Sequence, residues 1–129
     1  SHHPIALSKY YEDQKAESKA RSAEFRTSRI PKFLGYFERV LQRNPAGGAH
    51  IVGNALSTVD LSLFQVVEGL RYAFPRAMRD FEERFAGLAA LHGLVAARPR
   101  IAAYLASPRR LAFNENGIFR HYPELDGES

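Results

Sequence analysis

Five histidines and no cysteine set the chemistry open to this chain. Without Cys it has no thiolate nucleophile, no Cys-ligated zinc and no disulfide. The histidines are not spaced as metal ligands: His2-His3 lack a third partner, and His50 and His121 have none at a suitable separation. His92 falls on an apolar helical face, the setting of a hydrogen-bonded core histidine. There is no Gly-rich phosphate loop and no Ser-His-Asp arrangement. The expectation is therefore no metal and no catalytic residue within the chain. The sharpest local pattern is Ser57-Thr58-Val59-Asp60. Ser57 can cap a helix by accepting a backbone N–H of the first turn, and Asp60, three residues on, can reach back to the N–H of Ser57. Leu56 and Leu61 occupy the flanking positions of a hydrophobic staple. Asp in place of the usual Glu or Gln shortens the return reach and implies tight packing. This pattern starts a helix and carries no chemistry of its own, and Asp60→Ala is expected to cost about 1–2 kcal/mol.

The elements around the cap are helical. The length, 129 residues with 45% hydrophobic, suits one globular domain with its own core. A first helix is read from about Ile5 to Thr27. Leu7, Tyr11, Gln14, Ser18, Ser22 and Phe25 share one face, and a helix this polar either bridges solvent or lines something outside its own domain. A second runs from about Ile30 to Arg43, with Pro31 in its first turn and Ile30, Phe33, Leu34, Phe37, Val40 and Leu41 as an apolar stripe. Asn44-Pro45-Ala46-Gly47-Gly48 ends it. The capped helix continues to about Phe74 and is apolar around most of its girth, which marks it as the buried centre. A fourth helix spans roughly Asp80–Ala97, with Phe81, Phe85, Leu88 and Val95 inward. A short fifth follows Pro99, a further turn follows Pro108, and a mixed tail begins at Phe113. The fold class expected is all-α, a helical bundle around a central buried helix, with residues 1–129 as one domain.

Charge excludes some partners. The 18 basic and 14 acidic residues are interspersed along the sequence, as in Arg79-Asp80-Phe81-Glu82-Glu83-Arg84, with a net charge of +4. That reads as a solvated mixed surface, not the one-signed stripe of a nucleic-acid binder. No apolar run reaches the length of a membrane span and no signal peptide is seen. The lack of Cys suits a cytoplasmic setting.

Order and spacing carry a family resemblance. A long polar helix precedes Ile-Pro-Lys-Phe-Leu-Gly-Tyr-Phe-Glu-Arg-Val-Leu (30–41). Asn-Pro-Ala-Gly-Gly (44–48), Ile-Val-Gly (51–53) and Ser-x-x-Asp-Leu (57–61) follow. Phe-Ala-Gly-Leu (85–88), Ala-Arg-Pro-Arg-Ile-Ala-Ala-Tyr-Leu-Ala-Ser-Pro (97–108) and Asn116-Gly117 complete the series. Together these resemble the C-terminal helical domain of the cytosolic glutathione S-transferases, nearest the pi, mu and sigma classes. The resemblance covers nearly all of the chain.

The resemblance implies a parent enzyme in which glutathione is the cosubstrate and a hydrophobic electrophile the other partner. Its glutathione-activating residue would lie in an N-terminal thioredoxin-like domain, which makes this chain a C-terminal fragment, inactive alone and from a cytoplasmic homodimer. An apolar wall would come from the first helix and the tail, with Ser8, Tyr11, Phe113, Asn116 and Ile118 as substrate-binding residues. Ser8 stands where some pi-class members carry a Tyr. Tyr10 and Tyr11 read equally well as half-buried packing residues, and Asn116-Gly117 as a tight turn. Ser57 and Asp60 are structural. Two other functions suit the same scaffold: a non-catalytic binding or assembly module, and a glutathione-dependent isomerase or peroxidase.

Overall fold

The computed structural model describes residues 6–127, and the start of the first helix read at Ile5 lies outside them. The first two helices expected from the sequence form one unbroken column. A 3-10 turn, Tyr11–Gln14, leads into α1, Lys15–Glu24. A π-helical segment, Phe25–Arg29, then leads into α2, Ile30–Gln42. Pro31 explains why no break occurs. Its ring clashes with the carbonyl four residues back and it donates no N–H. Here the preceding turn is widened, and the N–H of Ile30 reaches the carbonyl of Phe25, five residues back. The sequence reading placed Pro31 in the first turn of the second helix, and it stands there in α2; the addition is the π turn that joins this helix to α1.

The capped helix is α3, Thr58–Ala73. Helix α4, Phe81–Arg84, and helix α5, Ala86–Ala96, replace the single fourth helix of the sequence reading. The break is at Phe85, whose backbone leaves the helical region (φ −134°, ψ 58°). A carboxylate from another helix accounts for the restart. Glu38 of α2 accepts the N–H groups of Gly87 (3.0 Å) and Leu88 (2.8 Å), two free donors at the head of α5. Gln42 also donates to Glu38 at 3.0 Å. Glu38→Gln keeps acceptor capacity but loses the charge facing a helix N-terminus, and is expected to cost about 1 kcal/mol in chemical denaturation. No change in the denaturation midpoint would remove this role.

Helix α5 packs closely on both α2 and α3, while α2 and α3 do not approach each other to the same degree. Leu41, Val67, Phe81, Leu88 and Val95 are buried at this junction, each worth about 1.5–3 kcal/mol of apolar burial. A fifth packing element, α6, Pro99–Leu105, starts with Pro in its first turn and rests on α5. The bundle is all-α, with α3 at its centre. Phe33, on the apolar stripe of α2, and Val66 of α3 are 46% and 41% exposed, because both face the gap between α2 and α3.

Past α6 no helix follows Pro108, only turns, until a 3-10 turn at Pro123–Leu125. This tail packs on α1 at its last turn. Gln14, Ser18 and Ser22 are all buried. The Ser22 hydroxyl donates to the Leu125 carbonyl at 2.5 Å. Gln14 turns back to bond Ala6 and Lys9. Serine is small enough to let the tail's last turn lie against the helix. The tail is also fastened to α3 and the loop beyond it. His121 Nδ1 donates to the Ala73 carbonyl (3.1 Å), and the Asp126 carboxylate accepts the N–H groups of Arg76 (2.7 Å) and Ala77 (3.2 Å).

Candidate functional site

The seam between the tail and the helices holds three of the six tyrosines, Tyr11, Tyr72 and Tyr122. Tyr11 and Tyr122 stack in parallel, centroids 4.4 Å apart and planes 4° off. The Tyr11 hydroxyl donates to Glu124 Oε1 at 2.8 Å. Burial, with Glu124 beside it, raises the Tyr11 phenol above its ordinary value. Glu124's carboxyl is held below its usual range by its own backbone N–H and then by the Tyr11 hydroxyl. Tyr11 therefore stays protonated with its proton directed to Glu124. It offers a ring, not an acid or a base.

A second aromatic group lies further along the tail. Phe113 stacks on Tyr72 of α3 at 4.9 Å and meets Phe119 edge-on at 6.0 Å. The Arg110 guanidinium sits over Phe113 and bonds Glu68 (3.0 Å), whose other oxygen meets His92 Nε2 at 2.8 Å. His92 stacks on Phe64. His92 is thus a partnered, largely buried histidine, and among the described residues no group of three or more His, Cys, Asp or Glu is placed to hold a metal ion.

The five residues read from the sequence as substrate-binding stand in different settings. Tyr11 and Phe113 belong to the two aromatic groups just described. Ser8 is exposed in a turn ahead of Tyr11. Asn116 is exposed, and its turn is organised by Asn114, whose Oδ1 accepts the N–H groups of Asn116 (2.8 Å) and Gly117 (2.9 Å). Ile118 is 80% exposed.

An apolar cleft lies elsewhere, between α2 and α3. It holds about 410 Å³ and is walled by Phe25, Phe33, Phe37, Val66 and Phe119 among others. Sequence reasoning missed it. The signal was an apolar surface on α2 and α3 wider than one helix contact can cover.

The cap itself is a denser polar centre than a two-residue box. Asp60 is fully buried. Its carboxylate accepts the N–H of Ser57 at 2.9 Å and that of Ile51 at 3.0 Å, and lies 3.1 Å from His50 Nδ1 and 3.3 Å from the Ser57 hydroxyl. Ser57 and Asp60 make the reciprocal capping box. Burial pushes the Asp60 carboxyl up, but the N–H groups of Ile51 and Ser57, with His50, outweigh it and leave it below its usual value. The Ser57 hydroxyl points to Asp60, not to His50, so the three residues are no catalytic triad.

Comparison with known proteins bears on this geometry. Residues 1–108 match the family described as glutathione S-transferase, C-terminal domain. Glutathione S-transferase P of Homo sapiens is 33% identical over 90 residues, 68% of this chain and 41% of that protein. The Bos taurus glutathione S-transferase P is 32% identical over 88 residues, 68% of this chain and 40% of that protein. A glutathione S-transferase of Plasmodium yoelii yoelii is 26% identical over 95 residues, 74% of this chain and 43% of that protein. The chain thus spans about two fifths of the length of the curated relatives it matches. No helix among the described residues is long and apolar enough to cross a membrane.

Proposed function

We propose, from the premise that this chain belongs to the glutathione S-transferase family through its C-terminal helical domain, that the full-length protein joins the glutathione thiolate to hydrophobic electrophiles. In such a reaction the sulfur forms a bond to an electrophilic carbon as a leaving group departs or a strained ring opens. The difficulty is to hold an apolar partner beside a thiolate in a fixed pose. The residues here are suited to the apolar partner and leave thiolate activation to other parts of the protein.

The observation that carries the reading is the parallel Tyr11–Tyr122 stack on the tail seam. It joins the first helical column to the tail, the two segments expected to form the wall. With its hydroxyl bonded to Glu124, Tyr11 would act through its ring, and Phe113 would contribute from the separate group on Tyr72. Ser8, Asn116 and Ile118, being exposed, would meet substrate only at its solvent edge. Ser57 and Asp60 hold up the scaffold.

The full-length protein should turn over glutathione with aryl halides or epoxides and be retained on immobilised glutathione. Failure of both would sink the reading and favour a non-catalytic module. Tyr11→Phe loses only a partly exposed hydrogen bond and should cost less than about 1 kcal/mol. It should leave kcat/KM within about twofold, whereas Tyr11→Ala, which removes the ring, should lower it about tenfold through KM. A large loss in Tyr11→Phe would mean that the hydroxyl, not the ring, serves the substrate.

A further inference from the structure

Arginines distant in sequence converge on one cleft that has no part in the aromatic seam. Arg26 of the π segment, Arg76 and Arg79 of the loop after α3, and Arg84 at the end of α4 line a depression of about 530 Å³. The two acids nearby, Asp80 and Asp126, offset only part of the charge of four arginines. Asp80 approaches Arg84 at 3.5 Å, with both side chains about half exposed. Asp126 is occupied by the backbone N–H groups of Arg76 and Ala77. Among the described residues no ion pair involves Arg26, Arg76 or Arg79.

Two of these cations meet at the same backbone. Arg76 Nη1 donates to the Gly127 carbonyl at 2.6 Å. The Arg26 guanidinium crosses the other side of Gly127, so close that a Cβ there would stand 2.6 Å from its Nη1. Arg26 Nε is buried and has no hydrogen-bond partner. A buried donor without an acceptor is costly, and like charges held together repel. A multiply charged oxyanion in the cleft would relieve the repulsion, because guanidinium forks match phosphoryl oxygens in pairs.

We propose that this cleft binds a phosphoryl-type oxyanion. Its size suits a diphosphate or a small phosphorylated compound. The lining has no aromatic side chain on which a base would stack, which argues against single-stranded nucleic acid.

The test is calorimetric titration of the full-length protein with pyrophosphate, with sodium chloride of equal ionic strength as the blank. Binding with Kd below about 1 mM is expected. The variants Arg79→Gln and Arg84→Gln, both at exposed positions, should each weaken it severalfold and together more than tenfold. Arg79→Lys should recover only part, since the charge returns without the fork. Arg109→Gln, an exposed arginine outside the cleft, should change nothing. Sedimentation with phosphatidylcholine vesicles containing phosphatidic acid separates the two sources of the group. Arg79-dependent co-sedimentation would assign it to a lipid headgroup, and pyrophosphate binding without co-sedimentation to a soluble compound. No heat beyond the chloride blank, or equal weakening by Arg109→Gln, overturns the proposal.

Discussion

Asp60→Ala is expected to lower stability by about 3–4 kcal/mol, roughly twice what a capping box alone would lose. The reason is the number of donors left behind. The N–H groups of Ile51 and Ser57 and the ring of His50 all converge on this one carboxylate. It is fully buried, so water cannot replace it without opening the loop. Each stranded donor costs on the order of 1 kcal/mol or more. The melting temperature should fall by about 10 °C. Asp60→Asn keeps one acceptor oxygen and should lose about half as much. A loss of only 1 kcal/mol in Asp60→Ala would mean that the loop at 50–53 relaxes freely, and that Asp60 caps α3 and does nothing else.

The same carboxylate sets a pH dependence with a definite sign. Its folded pKa lies below its ordinary value, with burial opposed by the stronger pull of Ile51, Ser57 and His50. The unfolded chain binds this proton more readily than the folded one. The contribution of Asp60 is therefore complete above the unfolded value, near 4, and disappears as pH falls through the lower folded value. The stability gap between wild type and Asp60→Asn should narrow as pH is lowered from about 5 toward 3. A gap of constant size over that range would contradict an ionised Asp60 in the fold.

The head of α3 was legible because its signal is local: Ser57, Asp60 and the two flanking leucines lie within six consecutive residues. The helical class, the buried positions Phe81, Phe85, Leu88 and Val95, and the family were legible for a related reason, since periodicity and motif order need no knowledge of three dimensions. Pro31 in the first turn of α2 was legible, but the π turn that joins α2 to α1 was not, because a first-turn proline reads the same whether the helix starts there or continues from a widened turn. What the polar stripe on α1 faces was not legible at all. Ser22 meets Leu125 across 103 residues, and Glu38 meets Leu88 across 50. No window on the sequence joins such pairs. The same holds for the basic cleft. Arg26, Arg76, Arg79 and Arg84 are diluted by acids along the chain, and only folding brings them to one place. Of the candidate substrate residues, Tyr11 and Phe113 stand in aromatic groups, while Asn116 stands in a turn that its neighbour Asn114 organises.

Gly69 gives the sharpest test of how the tail is seated. It lies inside α3, where Gly→Ala ordinarily stabilises by about 0.5–1 kcal/mol. Here the ring of Phe119 lies directly on it, and a Cβ would stand 2.4 Å from three ring atoms. Such a contact cannot be absorbed, so Gly69→Ala must move Phe119. The expected result is a net loss of about 1–2 kcal/mol, the ring's burial and its edge contact with Phe113 outweighing the helix gain. Proteolysis after residue 106 should quicken, because Phe119 is one of the few anchors between α3 and the tail. Phe119→Ala removes the obstacle, and on that background Gly69→Ala should become favourable by about 0.5–1 kcal/mol. This reversal of sign corresponds to a coupling of about 2 kcal/mol between the two positions. Additive effects would mean that Phe119 does not rest on Gly69 in solution. The pair also separates stability from substrate binding. If the tail forms the electrophile wall, the double variant regains part of the stability lost in Phe119→Ala but not the KM, because the ring that closes the wall against Phe113 is still missing.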